Sequence, residues 1–146
     1  MQENKNKKAI HRVNVLSKDL DSLYHQVALK LGISDSVMYI LYVIYENGDS
    51  CLLHDICNAC GISKQTINSA LRKLEAEEIL YLEPYKGKTK RVCLTEKGKT
   101  YVTQTAARLY QAECQAFDSW TQEEIEQYVK LMEKFQQTLR VQIEEM

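Results

Sequence analysis

The stretch "CNACGISKQT", residues 57–66, decides between two folds. Cys57 and Cys60 form a C-x-x-C pair, which in other proteins binds zinc or performs dithiol chemistry. The same residues also fit the bend of a helix-turn-helix, with Gly61 at the corner and Ser63 as the cap of a second helix. The sequence on either side of the stretch distinguishes these two interpretations.

The surrounding sequence does not support a metal or redox site. If Cys57 and Cys60 lie near one face of a helix, His54 lies about 120° away from Cys60 at roughly 100° per residue, so three ligands would not converge. No second C-x-x-C completes a four-ligand zinc shell, and the βαβ context of thioredoxin-like proteins is missing. We therefore expect the two cysteines to pack as small hydrophobes, with no metal and no cofactor.

The residues after the bend predict a helix from Lys64 to about Glu77 with two different sides. Apolar residues at helical spacing mark the inward side, namely Ile67, Ala70, Leu71 and Leu74. The polar side suits DNA, although a solvated helix face is the alternative. Asn and Gln pair with adenine and Arg with guanine, so the predicted base contacts are Gln65, Asn68 and Arg72. The predicted phosphate contacts are Ser63, Lys64, Thr66 and Lys73.

Beyond this helix the sequence predicts two short strands, residues 79–83 and 91–94, joined by a hairpin with Gly87 near its tip. Residues 84–99 carry six basic residues against Glu96 alone, whereas the whole chain has a net charge of −1. A compact basic patch on a nearly neutral chain is typical of a protein that reads DNA with one face. The predicted hairpin contacts with DNA are Lys86, Lys88, Lys90 and Arg91.

Helices are predicted on both sides of this central part. They comprise Lys7–Leu31, a nearly all-apolar helix from Ser34 or Asp35 to Tyr45, Leu53–Cys60, Thr95–Phe117, and a last helix that starts at Thr121. Thr121 and Glu124 form a capping box at the start of the last helix. The order of elements predicts a mainly α (α+β) chain, a winged helix-turn-helix with long flanking helices.

Two stretches of the sequence resemble the MarR-type family of transcriptional regulators. They are "GISKQTINSALRKLE", residues 61–75, and "KRVCLTEKGK", residues 90–99. The resemblance implies a repressor released by a small ligand, with recognition helices in successive major grooves and wings at the minor groove. The partners that it implies are a pseudo-palindromic double-stranded operator and a second copy of the chain.

The resemblance also implies a domain organisation. Residues 1–146 would form a single MarR-type domain, in which residues 1–31 and 100–146 are helical dimerisation arms and residues 35–99 form the DNA-binding part. Two positions depart from the family pattern. Glu78 stands where the recognition helix usually ends in glycine, and lysines stand around the wing tip, where the family commonly carries an Asp and an Arg.

The chain is rich in tyrosine, and family members bind small phenolic or aromatic ligands in a cleft. The candidates for such a site are Tyr24, Tyr39, Tyr42 and Tyr45, with plain core packing as the alternative. A thiol-based redox sensor is a further alternative, which would use Cys51, Cys93 or Cys114.

The sequence shows no catalytic constellation, so we expect no enzyme activity. We expect a cytoplasmic protein without a membrane partner, because the N-terminus has no secretory signal pattern and a membrane span needs about 20 apolar residues. The longest apolar run, Val37–Tyr45, has nine. A winged-helix module whose basic face binds a protein remains the alternative from another class.

Overall fold

The computed structural model describes the backbone of residues 2–146 and the side chains from residue 5 onward. Met1, the first residue of the predicted N-terminal arm, lies outside the described residues. The elements in chain order are α1 (Gln2–Leu31), α2 (Asp35–Glu46), β1 (Ser50–Leu52), α3 (Leu53–Cys60), α4 (Lys64–Ala76), β2 (Leu80–Pro84), β3 (Lys90–Leu94), α5 (Glu96–Gln104), α6 (Ala106–Asp118) and α7 (Gln122–Glu144). The predicted fold class is confirmed: a mainly helical chain carries a small sheet, and long helices flank a winged helix-turn-helix.

Helix α2 runs through the core, as its apolar composition predicts. Ser34 caps its start by accepting a hydrogen bond from the Val37 N–H at 3.2 Å. Its buried residues are Val37, Met38, Ile40, Leu41, Val43 and Ile44. Ile56 of α3, Ile67 of α4 and Val92 of β3 pack into the same cluster, and each is 0% exposed. A large apolar side chain contributes about 1.5–3 kcal/mol when buried, so this cluster fixes α4 to the rest of the fold.

The sheet has three antiparallel strands in the order β1-β3-β2, one more than predicted. Strand β1 was missed because it has only three residues, and its pairing with β3 is a contact between distant parts of the sequence. Strands β2 and β3 pair from Leu80 opposite Leu94 to Pro84 opposite Lys90. Successive side chains of a strand point to opposite faces, so Val92 turns to the core and Arg91 to the outer face.

The corner that follows α4 connects the helix to β2. The Ile79 N–H donates to the Leu74 carbonyl at 2.9 Å and the Glu78 N–H donates to the Glu75 carbonyl at 3.0 Å, the pattern of a Schellman motif. Such a motif needs a left-handed residue, and Glu78 has φ 61°. The family's usual glycine would adopt this conformation without strain, whereas a residue with a Cβ pays roughly 1 kcal/mol.

The start of α5 holds this corner in place. The Thr95 hydroxyl donates to the Glu78 carbonyl at 2.6 Å, and the Lys97 ammonium donates to the Glu77 carbonyl at 2.8 Å. A Cβ on Gly98 would lie 1.9 Å from the carbonyl oxygen of Ile79, so only glycine fits there. The stretch 95–98 therefore fixes the direction in which the hairpin leaves the recognition helix.

The prediction of one helix from Thr95 to Phe117 is wrong, because the helix is interrupted at Thr105, between α5 and α6. This residue has φ −126° and ψ −94°, outside the helical region. Its buried hydroxyl donates to the Tyr101 carbonyl at 2.9 Å. Threonine bonding back to the preceding turn bends helices, which accounts for a break without proline or glycine.

Two compact units divide the chain, Met1–Leu109 and Tyr110–Met146. In the second unit, α7 begins with the predicted capping box between Thr121 and Glu124. The Trp120 ring lies 5.0 Å from the Phe117 ring and 5.5 Å from the Tyr128 ring, measured between centroids. No residue of α7 is buried.

Exposed apolar side chains lie along two of the long helices. On α1 they are Ile10, Val13, Leu16, Leu20, Leu23 and Leu29. On α7 they are Tyr128, Val129, Leu131, Met132, Phe135, Leu139, Val141 and Ile143.

No single helix among the described residues is both long and apolar enough to cross a membrane. Helices α1 and α2 meet that condition only as a pair, and the chain bends by 92° between them. The apolar residues of α2 are those of the core.

Candidate nucleic-acid interface

Ser63 begins the recognition helix, α4. Its hydroxyl accepts a hydrogen bond from the Thr66 N–H at 3.2 Å and lies 2.8 Å from the Thr66 hydroxyl. Two of the four predicted phosphate contacts, Ser63 and Thr66, therefore bond to each other at the start of the helix, where Ser63 is the cap. The other N–H groups of the first turn lie at the positive end of the helix, where they would favour a phosphate.

The exposed side of α4 is polar, as predicted. Its inward residues Ile67, Ala70, Leu71 and Leu74 are all buried. At about 100° per residue, Gln65 and Arg72 lie opposite this buried side, and both are exposed. The Arg72 Nε donates weakly to the Asn68 carbonyl at 3.4 Å, and the Asn68 side chain is half-buried at the edge of the polar side.

Ser69 lies between Gln65 and Arg72 on the exposed side and belongs with the candidate residues. The sequence prediction omitted it, although the same helical count places it there. A serine hydroxyl both donates and accepts, so it is able to contact either a base or a phosphate.

Lys73 lies in the last turn of α4 at the edge of the polar side. It lines a cavity of about 160 Å³ together with Ser34, Glu77 and Tyr101. Burial, and to a lesser extent the charge of Glu77, raise the pKa of Tyr101, so its hydroxyl stays protonated at neutral pH. Among the predicted α4 contacts, Lys73 thus lies next to the turn between α1 and α2.

The hairpin between β2 and β3, residues 84–91, forms the wing. Its loop is closed by hydrogen bonds from the Tyr85 N–H to the Thr89 carbonyl at 3.1 Å and from the Thr89 N–H to the Lys86 carbonyl at 3.0 Å. The Lys86 N–H also donates to the Thr89 hydroxyl at 3.0 Å. Gly87 takes a φ of 59° at the tip. The loop is therefore ordered by its own backbone rather than by burial.

All four predicted basic contacts of the wing are accessible. Lys86, Lys88 and Lys90 are exposed, and Arg91 is half-buried on β3. The guanidinium carbon of Arg91 lies 4.7 Å from the centroid of the Tyr85 ring. The sequence prediction missed Tyr85, because the contact joins the loop to β3 across the hairpin and no periodicity along the sequence reveals it.

The cysteines behave mainly as packing residues. Cys57 and Cys60 are partly buried and pack against the main core, as expected for small hydrophobic residues. Burial raises the pKa of Cys51 to about 11, and burial is also the main cause that raises the pKa of Cys60 and of Cys93. A raised pKa disfavours the reactive thiolate at neutral pH. Cys114 is exposed on α6.

The candidate ligand tyrosines lie in different surroundings. Tyr24 and Tyr42 pack against a small cluster of Ala28, Met38 and Leu109. Tyr45 packs against the main core. Tyr39 is 36% exposed, and burial followed by the charges of Asp35 and Asp21 raises its pKa. Tyr24 and Tyr42 thus share this small cluster, and Tyr42, like Tyr45, also packs against the main core.

Comparison with known proteins agrees with this geometry. The family model described as the MarR family matches residues 31–87, from the end of α1 to the wing loop. The resemblance to that family is therefore confirmed over most of the winged helix-turn-helix. A search of curated proteins finds no match.

Solved structures share the fold over nearly the whole chain. AbsC, a MarR family transcriptional regulator from Streptomyces coelicolor, has a TM-score of 0.72 at 17% identity, with 92% of this chain and 93% of that chain covered. MepR of S. aureus in complex with DNA has a TM-score of 0.65 at 21% identity, covering 88% and 96%. NadR in complex with 4-hydroxyphenylacetate has a TM-score of 0.64 at 16% identity, covering 84% and 88%.

Proposed function

We propose that the protein is a sequence-specific transcriptional regulator that binds double-stranded DNA through α4 and the wing. The observation that carries this proposal is the exposed polar side of α4, with Gln65 and Arg72 opposite a fully buried apolar side. The major groove is about 12 Å wide and admits one helix, so these side chains would read base edges. A function as an enzyme has no comparable site in support.

Two parts of the site would divide the work of recognition. Base contacts from Gln65, Asn68 and Arg72 would select the sequence, with Ser69 beside them. Phosphate contacts from Ser63, Lys64, Thr66 and Lys73 would fix the register on the duplex. The wing would add the charges of Lys86, Lys88, Lys90 and Arg91. The MepR structure with DNA supports this arrangement by the likeness of its fold.

We further propose that the regulator is a homodimer on a pseudo-palindromic operator. Phe135 is 54% exposed and Met132 is 56% exposed on α7, and Leu20 is 46% exposed on α1. A row of exposed apolar side chains along each of these helices marks an interaction surface rather than a solvated one. A second copy of the chain is the partner that fits, because a two-fold axis would set two recognition helices about one turn of DNA apart.

Repression relieved by a small ligand is the regulatory part of the proposal. NadR, whose fold is similar, is known in complex with 4-hydroxyphenylacetate. In this chain Tyr24 and Tyr42, at the small cluster between α1 and α2, are the candidates for a phenolic or aromatic effector, with Tyr39 nearby in sequence. A regulator of this kind would act on DNA in the cytoplasm, the localisation that the sequence predicts.

Selection of bound sequences from a random duplex pool tests the proposal. We expect an enriched palindrome-like sequence and, for Arg72→Ala, a loss of about 1–3 kcal/mol with relaxed preference at one base position in each half-site. Arg108→Ala is the control, because Arg108 is also an exposed arginine but lies on α6. A pool that stays random would contradict sequence-specific binding, and uniform weakening by Arg72→Ala would place Arg72 on phosphate.

A further inference from the structure

Tyr85 opens the wing loop and has two cations at its ring. The ring is 45% exposed, so it does not serve the core. The Arg91 guanidinium carbon lies 4.7 Å and the Lys86 Nζ 5.7 Å from the ring centroid. Both distances lie within the roughly 6 Å over which a cation is attracted to an aromatic face. The Tyr85 ring therefore serves to hold positively charged side chains of the wing.

The guanidinium of Arg91 lies over the Tyr85 ring, although a carboxylate faces Arg91 across the strands. The strand pairing places Glu83 directly opposite Arg91. In the part of the chain that the structure describes, Glu83 and Arg91 form no ion pair, so Glu83 does not hold the guanidinium. Arg91 therefore contacts the Tyr85 ring rather than the carboxylate of Glu83.

Whether Arg91 contacts the Tyr85 ring or the Glu83 carboxylate determines which of its N–H donors remain available to a ligand. A bidentate carboxylate would occupy the N–H donors along the edge of the guanidinium. Stacking on a ring uses the face of the planar group and leaves those donors open. It also fixes a long side chain in advance, so less rotamer freedom is lost when a phosphate binds.

We propose that Tyr85 is a positioning residue of the wing, which presents the open guanidinium edge of Arg91 to a backbone phosphate of duplex DNA. This inference rests on the proposed function, since it needs the wing to meet DNA. It assigns the wing's arginine contact to β3, in a chain whose loop tip carries Lys86 and Lys88 instead. The Tyr85 hydroxyl has no part in it, because the ring face alone holds the cation.

A double-mutant cycle on the full-length protein tests this inference with a duplex recovered by selection. Tyr85→Leu should weaken binding by about 2–5-fold, the effect of losing one exposed cation–π contact. Tyr85→Phe should bind like the wild type. In an Arg91→Ala background, Tyr85→Leu should cause no further loss. Tyr81→Leu is the matched control, because Tyr81 is a similarly exposed tyrosine, at 46%, on β2 just before the loop, and its loss should leave affinity unchanged.

A second readout needs no DNA. In the free protein the Arg91 Nε–H resonance should show a ring-current shift that Tyr85→Leu removes and Tyr85→Phe keeps. An equal loss from Tyr85→Leu in both backgrounds would overturn the inference, as would a Tyr85→Phe protein as weak as Tyr85→Leu. Absence of duplex binding by the wild type would instead refute the proposed function, and the resonance would still report whether the stack exists.

Discussion

The winged helix-turn-helix and the last helix use their apolar residues in opposite ways. In the former, Ile44, Ile56 and Ile67 are 0% exposed, and hydrogen bonds from Thr95 and Lys97 close the corner behind the recognition helix. In α7 no residue is buried, and Phe135 is 54% exposed. The first region buries its apolar residues within one chain. The second exposes them, as expected of a helix that packs against a partner.

Charges introduced among the exposed apolar residues of α7 should have the largest effect on DNA binding. The double substitution Phe135→Glu/Leu139→Glu would bury two carboxylates in the proposed dimer interface and leave monomers with one recognition helix each. Affinity for the full operator should then fall by about 10² to 10⁴, the avidity that linkage supplies, while a half-site loses much less. Sedimentation equilibrium and titrations of operator and half-site are the measurements.

Gln137→Glu/Val141→Glu is the control for that experiment. It adds the same charge at the same spacing on nearly the opposite side of α7, at about 100° per residue. Val141 is also an exposed apolar residue, at 50%. A control protein that dissociates equally, or a Phe135→Glu/Leu139→Glu protein that remains dimeric, would show that the interface lies elsewhere.

The next effect concerns stability within the self-contained region. Alanine is usually better than glycine in a helix, by about 1 kcal/mol. At Gly98 of α5 the sign should reverse, because the new Cβ would meet the Ile79 carbonyl oxygen at 1.9 Å. Overpacking of this kind costs about 1–3 kcal/mol. Urea unfolding of Gly98→Ala at several protein concentrations should show the loss, with Thr100→Ala as a nearby control; an unchanged or raised stability would refute the close contact.

The smallest effect should be a gain. Glu78→Gly removes the strain of a left-handed residue at φ 61° and should stabilise the fold by about 1 kcal/mol. Glu77→Gly, one residue earlier at φ −83°, should not stabilise. Thermal unfolding of the two proteins separates conformational strain from a simple loss of negative charge. Equal shifts in Tm for both would indicate a charge effect.

Local patterns predicted what depends on neighbours in sequence. The two sides of α4 and the cap at Ser63 follow from spacing and residue type, whereas the special position of Glu78 came from the resemblance to the family. The missed features depend on contacts between distant residues: β1 exists because β3 pairs with it, and Tyr85 matters because Arg91 lies across the hairpin. The break at Thr105 was missed for another reason, since nothing in the residue type distinguishes a buried back-bonding threonine from an ordinary helical one.

The salt dependence of duplex binding tests the central claim most directly. The logarithm of the wild-type affinity should fall linearly with the logarithm of salt concentration, by roughly 0.9 for each phosphate that is neutralised. Lys88→Ala should weaken all duplexes alike and flatten that slope by about one unit per wing, whereas Lys130→Ala on α7 should leave it unchanged. Affinity that does not respond to salt, or a slope that Lys88→Ala leaves intact, would contradict a wing that binds DNA.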